Sequence, residues 1–442
     1  MTAPKSYFVK SYGCQMNVYD AERMGELLEA DGLSRASTQG EADLIVLNTC
    51  HIREKASEKV YSEIGRIEKA GRSREGGKAM IAVAGCVAQA EGAEIAARAR
   101  GVDLIVGPQA YHRLPAMVGS ATRGERPVDT DLPTLAKFRA LGTARKAAPS
   151  RFLTIQEGCD KFCTYCVVPY TRGAEVSRPA ATLLEEARKL ADGGTREITL
   201  LGQNVNAYDD GAGTGFADLI AKVADISGID RIRYTTSHPA DMTGELIAAH
   251  GEIRELMPYL HLPVQSGNDR ILKAMNRSHT AESYLESIAA LRRVRPDMAI
   301  SGDFIVGFPG ETEAEFEDTL QIVRQTNYAQ AYSFKYSPRP GTPAADMDDQ
   351  IAEEVKSDRL QRLQALLNEQ QLAFNAASVG TRTSVLLERA GKHAGQLIGK
   401  TPWLQSVHLH AHGAKTGEIV DVRIESAGPN SLSGVLAERK AA

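Results

Sequence analysis

The chain has 442 residues, of which 43% are hydrophobic and 24% are charged, and its formal net charge is −4. These are ordinary values for a globular protein of two to three domains. No apolar stretch approaches the length of a membrane span, and the first residues lack the apolar core of a signal peptide, so we expect a cytoplasmic protein. The small net charge neither favours nor excludes a nucleic-acid partner, which would need local basic patches.

Three cysteines stand at equal spacing in the first 120 residues: Cys14, Cys50 and Cys86. Each follows a short apolar run and precedes a helix-like stretch, which is the pattern of a parallel α/β domain. Because the carboxyl ends of parallel strands share one edge of a sheet, the three thiols are predicted to converge there. The alternative is three unrelated buried thiols, the ordinary state of a lone cysteine.

Residues 121–150 have little periodicity and an excess of positive charge, including Arg123, Arg126 and Lys137. This segment is predicted to be a linker or a long loop. It is either a solvated connection or a segment that contacts RNA.

The other three cysteines form the run C-x3-C-x2-C at Cys159, Cys163 and Cys166. Three thiols this close cannot be satisfied by pairwise disulfides, and no fourth Cys or His follows to close a zinc site. The spacing suits an iron–sulfur cluster held through three irons, with the fourth iron open to a small molecule. Together the two triads predict a two-cluster protein, and free thiolates favour a reducing compartment.

A second α/β series begins at Arg151. Six strands are predicted to alternate with helices, at Phe152–Glu157, Glu197–Gly202, Arg231–Thr236, Leu260–Val264, Ala299–Gly307 and Ala331–Lys335. This pattern indicates an incomplete parallel barrel with its chemistry at the carboxyl ends of the strands, where Cys159 stands. The strand ends at Gly202–Asn204 and Gly302–Glu311 are glycine turns, which either let backbone approach a ligand or simply make tight loops.

After Gly380 short strands alternate with glycines, which predicts a small antiparallel barrel. Its mild excess of Lys and Arg agrees with RNA binding but is weak evidence alone. Trp403 either stacks on a base or plugs the barrel, and packing or a mixed role is favoured. His408, His410 and His412 form either a metal site or, as the favoured reading, a polar strand face.

The C-x3-C-x2-C run after the first barrel strand resembles the signature of radical S-adenosylmethionine enzymes. The upstream cysteine domain and the terminal barrel are similar to those of the methylthiotransferases, whose terminal barrel is called TRAM. Within that family the chain resembles the members that act on dimethylallyl-adenosine in tRNA. The runs that carry this likeness are Gly13–Asn17, Asn48–Cys50 with Ile52–Ala56, Val167–Gly173 with Glu175–Pro179, and Leu201–Tyr208. One departure is His51, where the family pattern has Ser beside a cluster ligand.

The resemblance implies an N-terminal methylthiotransferase domain (5–120), a radical S-adenosylmethionine domain with a partial (βα)6 barrel (145–376) and a TRAM domain (378–440). It implies two 4Fe-4S clusters, one held by Cys159, Cys163 and Cys166 and one by Cys14, Cys50 and Cys86. S-adenosylmethionine would bind the open iron of the first, and the second would carry the sulfur. The implied cofactor contacts are Tyr165, Gly202, Gln203, Asn204, Ser237, Gln265, Asp303 and Gly307.

The implied reaction is methylthiolation of carbon 2 of dimethylallyl-adenosine at position 37 of tRNAs that read codons beginning with U. One S-adenosylmethionine supplies a 5′-deoxyadenosyl radical and a second supplies the methyl group. The implied partners are the tRNA anticodon stem-loop and an electron donor such as flavodoxin, and the chain is expected to be a monomer.

Two alternatives stay open at this point. The first is a methylthiotransferase of the same family that acts on threonylcarbamoyl-adenosine or on an aspartate of a ribosomal protein. The second is an RNA-binding iron–sulfur sensor without catalysis.

Overall fold

The structure is a computed structural model that describes residues 3–50, 55–71, 78–132, 136–141, 147–411 and 413–437. His51, His412 and parts of the basic 121–150 segment lie outside the described residues. The chain divides into two compact units. The first comprises Met1–Arg145, Glu157–Phe162 and Cys166–Val176, and the second comprises Lys146–Gln156, Cys163–Tyr165 and Ser177–Ala442. Every helix in the described ranges is too short or too polar to cross a membrane.

The first unit is built on a six-stranded parallel sheet in the order β2-β1-β3-β4-β5-β6. In chain order its elements are β1 (Ser6–Tyr12), α1 (Gln15–Ala30), β2 (Ser34–Arg35), β3 (Leu44–Thr49), α2 (Lys55–Gly71), β4 (Met80–Ala84), α3 (Cys86–Arg98), β5 (Leu104–Val106), α4 (Leu114–Thr122), β6 (Val128–Asp129) and α5 (Ala136–Ala140).

The sheet is covered on both faces, because every residue of the central strands β3 and β4 is buried. Side chains alternate along a strand, so Val46 and Ala82 pack towards α1 and α4 while Ile45 and Ile81 pack towards α2 and α3. Burial on both faces explains why these strands read as continuous apolar runs.

The rest of the chain contains the strands that the sequence predicted from Arg151 onwards. Its elements up to the terminal barrel are β7 (Ser150–Thr154), β8 (Gln156–Glu157), α6 (Val168–Arg172), β9 (Val176–Ser177), α7 (Ala180–Asp192), β10 (Glu197–Leu201), α8 (Phe216–Ala224), β11 (Arg231–Thr235), α9 (Gly244–Glu252), β12 (Tyr259–His261), α10 (Asp269–Ala274), α11 (Ala281–Val294), β13 (Ala299–Val306), α12 (Glu313–Thr326), β14 (Gln330–Lys335) and α13 (Glu353–Ala377). Six of these strands form two parallel three-stranded sheets, β7-β10-β11 and β12-β13-β14. The predicted α/β class is confirmed.

The final segment is the small closed barrel that the sequence predicted, although it is not wholly antiparallel, because its third and last strands pair in parallel. It consists of β15 (Arg382–Ala390), β16 (Gln396–Lys400), β17 (Ser406–His410), β18 (Ile419–Ala427) and β19 (Leu432–Leu436), in the order β15-β16-β17-β19-β18. Val407 and Leu409 of β17 are buried in its core, so His408 and His410 alternate onto the outer face. The third histidine of the predicted set, His412, lies outside the described residues, so the choice between a metal site and a polar face stays a prediction.

The barrel is fixed to the preceding α/β region by buried arginines. Arg233, on the inner side of β11, donates from Nε to Glu197 at 2.9 Å, and from Nη1 and Nη2 to the carbonyls of Pro402 (2.7 Å) and Thr401 (2.8 Å). Trp403 packs against Tyr259 and donates its indole N–H to the Asp297 carbonyl at 2.8 Å. Trp403 therefore packs against the α/β region, and it does not plug the barrel, whose core is formed by other residues.

Replacing Arg233 with methionine is expected to lower the free energy of unfolding by about 3 kcal/mol, because Glu197, 2% exposed, would lose its main cation. Urea unfolding measures this. The matched control is Arg254→Met: Arg254 is 92% exposed, and its contact with Glu255 belongs to a class of pairs that contribute little. Equal unfolding midpoints for the two variants would show that Arg233 does not anchor the barrel.

Candidate metal centres and cofactor site

The three N-terminal cysteines stand at the carboxyl ends of neighbouring strands. Cys14 follows β1, Cys50 follows β3 and Cys86 follows β4, and these strands are adjacent in the sheet. Cys50 and Cys86 are buried and Cys14 is half-buried, and none of the three is in a disulfide. The convergence that the repeated spacing predicted is present.

Two glycines let the strand ends approach each other. Gly13 has φ +125°, and a Cβ there would overlap the Cβ of Cys50. Gly85 has φ +87°, and a Cβ there would lie 2.8 Å from the Thr49 carbonyl oxygen. Both positions therefore need glycine for conformation and for space.

The surroundings of Cys14 favour its thiolate. A hydrogen bond from Cys50, assisted by the charge of Arg172 and opposed by burial, lowers the pKa of Cys14 to about 6. Burial raises the pKa of Cys86, and the positive charge of Arg172 opposes that rise. Cluster ligands must be deprotonated, so a cation behind this triad is the electrostatic setting that an iron–sulfur site requires.

Within the described ranges, no group of three or more His, Cys, Asp or Glu could hold a metal ion. A 4Fe-4S cluster makes a different demand, because each cysteine binds its own iron and the sulfurs surround the cluster instead of one ion. The convergent cysteines at the ends of β1, β3 and β4, none of them in a disulfide, fit that demand.

Replacing Gly13 with alanine is expected to destabilise the protein by more than ~1 kcal/mol, because the new methyl group meets Cys50 in a left-handed conformation. Gly32→Ala is the matched control, since Gly32 also has a positive φ (+93°) but has open space around it. Thermal unfolding of the two proteins without metal separates the steric effect of the contact with Cys50 from the effect of the positive φ. A Gly13 variant no less stable than the Gly32 variant would contradict the close approach.

Hydrogen bonds to the backbone hold the chain near Cys159 and near Cys163. In the first unit the Cys159 N–H donates to the Gly173 carbonyl at 3.3 Å. In the second unit, Thr164 donates from N to the Met275 carbonyl (3.1 Å) and from Oγ1 to the Ala274 carbonyl (2.9 Å). Cys163 is buried, with Arg277 Nη1 3.7 Å from its sulfur, and Cys159 and Cys166 are half-buried. None of the three cysteines is in a disulfide, as a cluster site requires.

The structure places most of the predicted cofactor contacts at the carboxyl ends of barrel strands. Gly202, Gln203 and Asn204 follow β10, Ser237 follows β11, Gln265 follows β12, and Asp303 and Gly307 lie within and after β13. The backbone N–H groups of Gln203 and Asn204 both donate to Gln156 Oε1, at 2.9 and 3.2 Å, which fixes the turn after β10. Tyr165 is half-buried and packs against the cluster formed by Ile271, Met275, Phe308, Tyr336 and Ala344.

Two of these side chains have a buried atom with no protein partner in the part of the chain that the structure describes: Asn204 Oδ1 and Ser237 Oγ. Buried polar atoms are normally hydrogen-bonded, so unpaired ones at the strand ends are candidates to contact a bound molecule. The turns there are also conformationally special, because Gln265 has φ +76° and Gly307 has φ +70°.

Sequence reasoning missed two residues. His261 ends β12, and its Nε2 lies 3.3 Å from Asp303 Oδ1, while its Nδ1 faces the Thr236 N–H at 3.4 Å. Arg172, on α6, is buried behind the N-terminal cysteines. A histidine within a predicted strand was a readable signal for the first residue. The second lies in the run Val167–Gly173 that carries the family resemblance, but nothing in the sequence assigned it a role.

Family models match three segments of the chain. They are Uncharacterized protein family UPF0004 over residues 6–107, the Radical SAM superfamily over 153–323 and the TRAM domain over 376–437. Curated relatives named tRNA-2-methylthio-N(6)-dimethylallyladenosine synthase include one from Erythrobacter litoralis, 64% identical over 100% of this chain and 99% of its own, and one from Sphingopyxis alaskensis, 65% identical over 97% of each.

Among solved structures, the chain resembles the radical S-adenosylmethionine methyltransferase TsrM from Kitasatospora setae, with a TM-score of 0.57 at 12% identity. That match covers 77% of this chain and 74% of TsrM, whose structure has cobalamin and a 4Fe-4S cluster bound. The cobalamin-dependent radical enzyme OxsB matches with a TM-score of 0.53 at 10% identity, over 83% of this chain and 56% of OxsB. At such identities the likeness shows the fold alone.

Proposed function

Since the chain belongs to the tRNA-2-methylthio-N(6)-dimethylallyladenosine synthase family, we propose that it attaches a methylthio group to carbon 2 of dimethylallyl-adenosine at position 37 of tRNA. The tRNAs are those that read codons beginning with U. The reaction uses two S-adenosylmethionine molecules, one as radical source and one as methyl donor. The observation that carries this proposal is the presence, in one chain, of two cysteine triads, one at the ends of three neighbouring parallel strands and one in the C-x3-C-x2-C segment that follows β7 and β8.

Cys159, Cys163 and Cys166 would hold the 4Fe-4S cluster that supports S-adenosylmethionine cleavage, and Cys14, Cys50 and Cys86 would hold the cluster that supplies sulfur. The protein's own contribution is to bind and orient the reactants. The turn after β10 offers Asn204 Oδ1 and the turn after β11 offers Ser237 Oγ to the cofactor. Asp303, held by His261, offers a carboxylate on the inner side of β13.

The inner face of β14 offers a surface for the substrate base. Ala331 packs against the outer core and Lys335 pairs with Glu353 of α13, so the alternating Tyr332 and Phe334 point to the opposite, inner face. They are 47% and 40% exposed, and Tyr332 is in register with Asp303. Stacking on aromatic rings is the general means by which proteins hold unpaired bases.

Replacing Tyr332 with alanine is expected to raise the KM for RNA by about 5- to 150-fold, the equivalent of ~1–3 kcal/mol of lost stacking. Tyr332→Phe keeps the ring and should leave KM near the parent value. Initial rates against stem-loop concentration measure both. An unchanged KM for the alanine variant would remove this residue from the substrate site.

The terminal barrel supports tRNA as the partner, since the TRAM model matches residues 376–437. As further parts of the proposal, the domain borders fall at 5–120, 145–376 and 378–440. The enzyme acts as a monomer in the cytoplasm and takes electrons from a small donor such as flavodoxin.

The test is an anaerobic turnover with reductant, S-adenosylmethionine and an anticodon stem-loop that carries dimethylallyl-adenosine, read by nucleoside mass spectrometry. We expect a methylthio product, and none from unmodified or threonylcarbamoyl-modified stem-loops. Formation of 5′-deoxyadenosine with no product on the dimethylallyl substrate would refute this substrate. Absence of 5′-deoxyadenosine from protein loaded with both clusters would refute the enzyme and favour the RNA-binding sensor.

A further inference from the structure

Behind the N-terminal cysteines lies a set of four buried charged side chains: Asp20, Lys137, Glu157 and Arg172. Each side chain is at most 3% exposed. Arg172 Nη2 donates to Asp20 Oδ2 at 2.6 Å, and Lys137 Nζ donates to Glu157 Oε2 at 2.5 Å. The two cations and two carboxylates balance, so removing any one leaves a net charge in a region that water does not reach.

Arg172 is the member of this set that acts on the cysteines. Its Nη2 donates a hydrogen bond to Asp20 Oδ2. Its Nη1 lies 3.8 Å from Glu157 Oε1, which is too far for a hydrogen bond. Nη1 is buried and has no hydrogen-bond partner within the described residues. Arg172 ends α6, which packs against α3, and α3 begins at Cys86, so this buried donor lies on a helix beside the triad.

The set also connects the chain segments that carry the two triads. Asp20 is on α1, which begins immediately after Cys14, and Arg172 ends α6, six positions after Cys166. Glu157 stands two positions before Cys159. Gln109 links Glu157 to the end of α6, because its Nε2 donates to Glu157 Oε2 at 2.6 Å and to the Arg172 carbonyl at 3.1 Å.

We propose that Arg172 is a positioning residue whose fixed positive charge and unpaired Nη1 set the reduction potential of a cluster held by Cys14, Cys50 and Cys86. Net charge and hydrogen bonds to sulfur are the levers by which a protein tunes such clusters. Reduction adds a negative charge, which a buried cation stabilises, so Arg172 raises the potential and Asp20 lowers it. This inference rests on the proposed cluster but not on the identity of the RNA.

The experiment uses the full chain with Cys159, Cys163 and Cys166 replaced by alanine, so that only the N-terminal site is loaded. Its potential is measured by redox titration followed by electron paramagnetic resonance. Arg172→Gln should shift the potential to more negative values and Asp20→Asn to more positive values. Arg172→Lys, which keeps the charge but not the planar fork, should shift it less than Arg172→Gln.

The matched control is Arg178→Gln, because Arg178 is also a buried arginine paired with a carboxylate, Glu186 at 2.8 Å, and should leave the potential unchanged. Opposite shifts for Arg172→Gln and Asp20→Asn are the decisive signature, since general structural damage gives no reason for opposite signs.

Unchanged potentials, or shifts of the same sign, would overturn the inference and leave the set as a purely structural ion network. If the Arg172→Gln protein fails to load a cluster, the Asp20→Asn protein provides the test. A shift of its reduction potential to more positive values supports the inference, and an unchanged potential overturns it. Failure of the parent variant to load iron at all would instead refute the proposed N-terminal cluster.

Discussion

Replacing Cys163 with alanine is expected to reduce the formation of 5′-deoxyadenosine from S-adenosylmethionine to background. The thiol is buried, and the segment around it is fixed by the Thr164 hydrogen bonds to Met275 and Ala274. The chain has six cysteines, and the other triad stands at strand ends of the first unit, so no spare thiol replaces the missing one. Chromatography of the anaerobic reaction mixture measures the product.

The same variant should keep about half of its iron, because the N-terminal triad would still hold its cluster. Iron and sulfide analysis supplies this internal control, since a misfolded protein would lose both clusters. Normal amounts of 5′-deoxyadenosine from the Cys163 variant would show that the C-x3-C-x2-C segment is not the site of cofactor cleavage.

The placement of the N-terminal cysteines could be read from the sequence because topology alone dictates it. Parallel strands end at a common edge, so residues that follow β1, β3 and β4 must come together. The six barrel strands were found for the same reason, as apolar runs separated by helices. Their limits were less predictable, since limits depend on pairing partners distant in sequence.

Two strands illustrate the difference. The predicted strand Phe152–Glu157 is divided: β7 ends at Thr154, and β8 belongs to a separate two-stranded sheet with β9. Ile155 explains the break, since its carbonyl accepts from the Arg178 N–H at 2.9 Å. The predicted strand Leu260–Val264 ends early at His261, a limit that Pro263 signals because proline cannot donate to a sheet.

The electrostatic surroundings of the sites could not be predicted. Arg172 and Asp20 are 152 residues apart in sequence, and His261 and Asp303 are 42 apart. An arginine or an aspartate on a helix is not unusual in a sequence. The role of Arg172 and Asp20 is visible only from their burial, and burial follows from the tertiary fold. Sequence patterns located the two cysteine triads, while the buried charges beside them could be identified only from the structure.

Replacing Cys50 with alanine is expected to abolish the methylthio product while 5′-deoxyadenosine continues to form. Alanine keeps the Cβ atom of residue 50, against which Gly13 packs. The backbone N–H of residue 50 can still donate to the Tyr12 carbonyl, a hydrogen bond of 3.0 Å in the parent chain. The strand ends should therefore stay in place, and only the thiol is lost. Mass spectrometry of the RNA nucleosides and chromatography of the cofactor products measure the two outcomes in one reaction.

Thr49→Ser is the matched control for this prediction. Thr49 is the buried neighbour of Cys50, and serine keeps its hydroxyl while removing one methyl group, so methylthiolation should stay near the parent rate. Loss of product in both variants would indicate damage to the strand edge instead of loss of a ligand. Full methylthiolation by the Cys50 variant would mean that sulfur insertion does not depend on the N-terminal triad. Set against the Cys163 variant, which should lose both products, the Cys50 result separates radical formation from sulfur delivery within one chain.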